Sequence, residues 1–216
     1  MYNYKPMTQN WDLIYKQHGT WLQEPHEDMP QVISFFQQMD VKKVLDVGCG
    51  AGRHVVYLAG QGFQVSGLDS SDEAIKMNRD ALKKMNLSAE LTVASMYERL
   101  PYPNNNFDAI ICTKALNHGI LERIRGTINE MERVLKPSGA IFIVVTKTRK
   151  ILPSKKQKRE AKIIAERTLV PKTGREIGVI HFQFNKEILL KEFRHFKVID
   201  CHVDSMRNYC FLGILK

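Results

Sequence analysis

At 216 residues, 44% hydrophobic and 25% charged, the chain is long enough to bury a real core and has the composition of an ordinary globular protein. Its longest apolar run, Ala140 to Val145, falls far short of the ~20 residues of a membrane span, and the start, Met-Tyr-Asn-Tyr-Lys-Pro, lacks the apolar stretch of a secretory leader. The net charge of +9 is concentrated: between Lys147 and Arg175 eleven Lys or Arg stand against two acids, so that segment carries the whole excess and the remaining 187 residues balance.

In chain order, residues 8–19 and 26–39 read as amphipathic helices rich in aromatics and Gln. A strand–helix alternation follows, with strands at 43–48, 64–69, 90–94, 107–112 and 139–146 and helices at 53–61, 71–86 and 121–136. Ser70-Ser71-Asp72-Glu73 supplies capping oxygens and first-turn acids to the second of those helices. The basic stretch comes next, with a helix expected over 154–167 and a turn at 171–174. A helix at 185–194, capped by Asn185, precedes strands at 196–203 and 208–215. Alternation of this kind predicts an α/β, doubly wound sheet with helices on both faces. Such sheets bind ligands at the C-terminal ends of their strands. The four cysteines, Cys49, Cys112, Cys201 and Cys210, show no metal-type pairing; reduced thiols, no metal and a cytoplasmic location are expected.

The most informative stretch is 42–54. The apolar strand of Val44, Leu45 and Val47 runs into Gly48, Gly50 and Gly52, and a helical pattern starts at once. Glycines at such a turn permit positive φ and let a ligand lie against bare main chain, and the free N–H groups of the next helix favour its polar end. A nicotinamide or flavin fingerprint needs its third glycine three residues after the second, where this chain has Arg53.

Val-Leu-Asp-Val-Gly-Cys-Gly-Ala-Gly instead resembles the first motif of the class I S-adenosylmethionine-dependent methyltransferases. Gln64-Val-Ser-Gly-Leu-Asp69, Leu100-Pro-Tyr-Pro-Asn-Asn-Asn-Phe-Asp108 with Ala109-Ile-Ile-Cys112, and Leu135-Lys-Pro-Ser-Gly139 with Ile141-Phe-Ile-Val-Val145 fall where later motifs of that family lie. The likeness is strong over 40–147 and looser at both ends. It implies a Rossmann-like sheet of seven strands, the last antiparallel, in a single domain. Residues 1–40 would form a helical cover, 41–147 the cofactor-binding core, 148–184 a basic insertion or lid, and 185–216 a helix with edge strands.

The resemblance implies S-adenosylmethionine as cofactor, with S-adenosylhomocysteine as product. Gly48, Gly50 and Gly52 would hold its methionine half and ribose, Asp46 its amino group, and Asp69, beside Ser70, the ribose hydroxyls. Arg53 and His54 could reach the methionine carboxylate; Thr113 and Lys114 follow the fourth strand, where the methionine end is met. Where the family usually has an acid for adenine, this chain has Ser95 or Met96; one could accept a bond and the other pack on the ring. Trp11 and Tyr15, four apart, could close over the cofactor or pack on the sheet. His118, beside Asn117, faces the expected methyl position and could be a general base of ordinary pKa or a loop-holding histidine. His181 could line the acceptor pocket, or pack in the core with Phe182 and Phe184. The reading is methyl transfer to a small-molecule acceptor, possibly anionic. One alternative is a tRNA or rRNA methyltransferase using 147–175 against phosphates; another is a non-catalytic S-adenosylmethionine-binding protein.

Overall fold

A computed structural model describes residues 11–20, 23–147 and 161–216. In chain order the first elements are α1 (Trp11–His18), α2 (Met29–Gln38), β1 (Lys43–Val47), α3 (Arg53–Gly60), β2 (Gln64–Asp69) and α4 (Asp72–Lys84). Next come β3 (Glu90–Val93), β4 (Phe107–Thr113), α5 (Leu121–Val134) and β5 (Leu135–Thr146). The C-terminal part holds β6 (Ala161–Ala165), β7 (Thr168–Pro171), β8 (His181–Phe182), α6 (Lys186–Glu192), β9 (Phe196–Val203) and β10 (Asn208–Leu215).

Seven strands form one sheet in the order β3-β2-β1-β4-β5-β10-β9. The first five pair in parallel. β10 runs against both β5 and β9, so β9 closes the edge pointing the same way as the parallel strands. Period-two alternation assigns each strand residue to a face. Val44, Ala109, Ile111, Phe142 and Val144 pack against α2, α3 and α4 through Phe36, Leu58 and Ile75. Leu45, Val47, Ile110, Cys112, Ile141 and Ile143 turn to the opposite face, against Ile124, Ile128 and Met131 of α5 and Leu189 of α6. Each such fully buried side chain contributes about 1.5–3 kcal/mol. Ser71 caps α4 by accepting from Ala74 N–H at 3.1 Å, and Asn185 caps α6 by accepting from Ile188 N–H at 2.7 Å. Among the described residues no helix is long and apolar enough to cross a membrane.

Two sequence expectations change. β5 begins at Leu135 and not at 139, because Leu135 pairs with Phe107 ahead of a bulge and Ser138 takes a φ of 61°. The helix expected over 154–167 is not formed where the chain is described; 154–160 lie outside the described residues. Ala161–Ala165 is a strand, hairpinned onto Thr168–Pro171 around Arg167 at φ 57°. The Lys/Arg/Glu composition favours helix, but β-branched Ile163, Ile164, Thr168 and Val170 gain more from pairing across the hairpin. β8 adds to β7, making a second sheet of three strands.

Candidate active site

At the C-terminal ends of the parallel strands the chain encloses a cavity of about 1180 Å³. The turn after β1 contributes Gly48, Gly50 and Gly52; Arg53 starts α3; β2 ends in Asp69, followed by Ser70. Ser95 and Met96 follow β3, and Thr113, Lys114 and His118 come from the end of β4 and the loop beyond. Tyr15 reaches in from α1 and His181 from β8. These thirteen predicted site residues, far apart in sequence, face one space. The fourteenth, Asp46, lies beneath it.

The turn is glycine-built for steric reasons. Gly50 has φ 54°, and a Cβ there would strike the Tyr15 hydroxyl; Gly48 has φ 72°, and its Cβ would strike that of Ala115. Asp69 braces the turn, accepting from Gly50 N–H through Oδ2 and from Ser71 N–H through Oδ1, each at 2.9 Å. α1 is held over the site by Asp12, whose Oδ1 accepts from Glu73 N–H at 2.8 Å in the first turn of α4. The capping signal on Ser71 was legible in sequence; this second cap from a distant helix was not.

Asp46 is 1% exposed, and neither of its carboxylate oxygens has a hydrogen-bond partner. Burial raises its carboxyl to about 7, Arg53 pulling the other way and Asp69 adding to the rise. An orphaned carboxylate under a glycine cradle fits a ligand that brings a cationic amino group, as the amino-acid end of S-adenosylmethionine does. Arg53 lines the cavity while donating to Glu24 O at 2.9 Å. His54 is not available to a ligand carboxylate. Its Nε2 accepts from His26 N–H at 3.1 Å, so Nδ1 carries the proton and donates to Thr113 Oγ1 at 3.1 Å. Burial pushes this imidazole well below its ordinary pKa, which keeps it neutral in that role.

At the other end, Phe182 N–H donates to Asn117 O at 2.7 Å and lays β8 beside the loop after β4. The rings of His118 and His181 meet there at 4.9 Å, nearly perpendicular. Trp11 sits 4.8 Å from His118, and the Tyr97 hydroxyl donates to His118 O. His181 Nε2 lies 3.1 Å from Glu176 Oε2 without counting as its hydrogen-bond partner. His118 departs from the ordinary pKa expected of it: burial, then the charges of His181 and Lys114, lower it to about 3, against a smaller upward pull from Glu176. It is therefore neutral at physiological pH and a weak base. Burial acts to raise Glu176, but His181, His118 and Lys114 together outweigh it and hold the carboxyl below its ordinary range.

Phe182 and Phe184 are buried, whereas His181, just before them in the chain, reaches the cavity with part of Phe182. Glu176 was missed in sequence; its one signal is an acid between Gly174 and Gly178, five residues before His181. Tyr97 was missed as a neighbour of His118 because nothing local links residues 21 apart.

Residues 44–139 match the family described as the methyltransferase domain. Ubiquinone biosynthesis O-methyltransferase of Thiobacillus denitrificans is 34% identical over 101 residues, covering 47% of this chain and 43% of that protein. The chain spans less than half the length of the curated relatives it matches first. A crystal structure of a Pyrococcus horikoshii protein superposes with TM-score 0.73 at 25% identity, over 94% of this chain and 98% of that one. The 1,6-didemethyltoxoflavin-N1-methyltransferase of Burkholderia thailandensis, solved with 1,6-didemethyltoxoflavin and S-adenosylhomocysteine bound, shares the fold with TM-score 0.65 at 16% identity, over 87% and 77% of the two chains.

Proposed function

We propose, from a core at residues 44–139 that belongs to the class I S-adenosylmethionine-dependent methyltransferases, that this chain transfers a methyl group to a small-molecule acceptor. The bound cofactor supplies an electrophilic methyl on a sulfonium. Gly48, Gly50, Gly52 and Asp69 would hold it, with Asp46 opposite its ammonium and Ser95 and Met96 beside its base. The observation that carries the reading is that these groups, except Asp46 just beneath, and the His118–His181 pair open onto the same cavity. Reactants placed together there need little else, since positioning alone can supply roughly 7–11 kcal/mol of barrier reduction.

The protein's own residues align the acceptor and exclude water. α1 and the β6–β8 sheet both line the cavity, and Lys114 places a cation near His118 and Glu176 that suits an anionic acceptor. His118, neutral by burial, would orient the acceptor by hydrogen bonding, leaving proton acceptance to His181 or solvent. Ubiquinone biosynthesis O-methyltransferase, by its name, acts in the making of a small molecule, which supports the same class of acceptor. For the RNA alternative the described part of the 147–175 segment keeps Lys162, Lys172 and Arg175 exposed, while its β6–β7 turn, with Arg167, lines the cavity.

Methyl-labelled S-adenosylmethionine, incubated with the protein and a panel of small hydroxyl, amine and thiol acceptors beside bulk tRNA, tests this. Label is expected in a small acceptor. Label in tRNA alone, or none anywhere while cofactor binding is intact, would overturn it.

A further inference from the structure

His118, Glu176 and His181 come from three places in the chain and meet at the acceptor end of the cavity, each offering a donor atom within 4.8 Å of the others. We propose that they form a three-ligand site for a divalent transition-metal ion, its remaining positions open to the cavity. The residue set is two imidazoles and one carboxylate, which suits ions of borderline softness such as zinc, iron(II) or cobalt(II). At metal–ligand distances of ~2.0–2.2 Å, neighbouring donors on one ion stand about 3 Å apart. His181 Nε2 and Glu176 Oε2 already stand at 3.1 Å. The His118 ring lies perpendicular to that of His181, with a nitrogen within 4.8 Å of both other donors.

The present contacts leave that point unsatisfied. His181 Nε2 is buried and has no hydrogen-bond partner, although a carboxylate oxygen is beside it. An ion between the two would satisfy both. The backbone bond from Phe182 N–H to Asn117 O holds the two histidine-bearing segments together without help from any ligand. Charge then speaks to the occupant of the open positions. Around the three ligands Glu176 and Lys114 cancel, and a divalent ion adds two positive charges at that end of the cavity. The structure thereby favours an acceptor with an ionisable oxygen or sulfur, whose proton leaves to solvent as the ion lowers its pKa.

A second group of donors, His26, Asp204 and Cys210 with Asp28 and His202 nearby, is the competing destination for a metal. There His26 Nε2 is engaged by Asp204 at 2.9 Å and Nδ1 accepts from Asp28 N–H at 3.2 Å, so the histidine is already satisfied.

The test is to titrate cobalt(II) into the chelator-treated full chain, following heat and visible absorption, in wild type, Glu176→Gln, His181→Asn and Cys210→Ala proteins. One ion per chain is expected, bound at least tenfold more weakly by Glu176→Gln and by His181→Asn, unchanged in Cys210→Ala, and without a thiolate charge-transfer band. No binding, binding insensitive to Glu176→Gln and His181→Asn, or a thiolate band lost in Cys210→Ala would each overturn the proposal. Circular dichroism checks that the same four proteins are folded, and S-adenosylhomocysteine affinity is measured in each. That affinity separates this inference from the transferase reading on which the acceptor class rests: metal binding without cofactor binding would sink that reading and leave the metal site standing.

Discussion

Replacing Asp46 by Asn should make the cofactor-free protein more stable at pH 8.5 and leave it nearly unchanged near pH 4. The carboxyl is 1% exposed and unpartnered, and burial lifts it from its ordinary 3.8 to about 7, Arg53 opposing and Asp69 reinforcing. Between those values the folded state keeps a proton that the unfolded state has lost, so stability falls as pH rises across the interval. The contribution of the protonated form is whole below the unfolded value and gone once pH has passed the folded one. At about 1.36 kcal/mol per unit, a rise of roughly three units is on the order of 4 kcal/mol. Relaxation around the ionised group brings the expected gap between variant and wild type to about 2–4 kcal/mol at pH 8.5. Asn has the same shape and no charge, so it escapes the slope. Urea unfolding of both proteins at pH 4, 6 and 8.5, without cofactor, reads the difference directly. A gap that does not grow with pH, or a variant that is the less stable one at pH 8.5, would refute burial as the origin. Saturating S-adenosylhomocysteine should shrink the gap, because its ammonium would offset the charge in the wild type alone.

Asp69→Ala should lower S-adenosylmethionine affinity by about 1.5–3 kcal/mol, the range for hydrogen bonds to a charged group, as measured by calorimetry. A cofactor analogue lacking the 2′-hydroxyl should lose less; equal losses would mean that Asp69 acts only through its bonds to Gly50 and Ser71 N–H. Gly50→Ala places a Cβ against the Tyr15 hydroxyl at a φ of 54°, which costs roughly 1–2 kcal/mol in backbone strain alone. Cofactor affinity should fall at least tenfold, with part of it restored in Gly50→Ala/Tyr15→Ala; unchanged affinity in the single variant would refute the close fit of turn and cover.

The glycine turn and its surroundings are written locally. Val44 to Gly52 combine a buried strand, a turn that needs positive φ and a helix start within nine residues, and each of those constraints acts on neighbours in the chain. Asp69 at the next strand's end follows by the same logic, since β2 pairs with β1 and places it beside the turn. The cluster around His118 was decided by tertiary contact. His118 and His181 were visible as candidates, but a sequence carries no measure of burial, so neither the neutral state of His118 nor the nearness of Glu176 could be derived from it. The stretch after residue 160 shows the same limit in backbone form: its charge and composition suit a helix in isolation. Only the hydrogen bonds it makes to Thr168–Pro171, and those of the following strand to the loop beyond β4, settle it as a sheet over the cavity. Local propensities differ by less than a kilocalorie per residue, roughly, and pairing with a distant segment outweighs them.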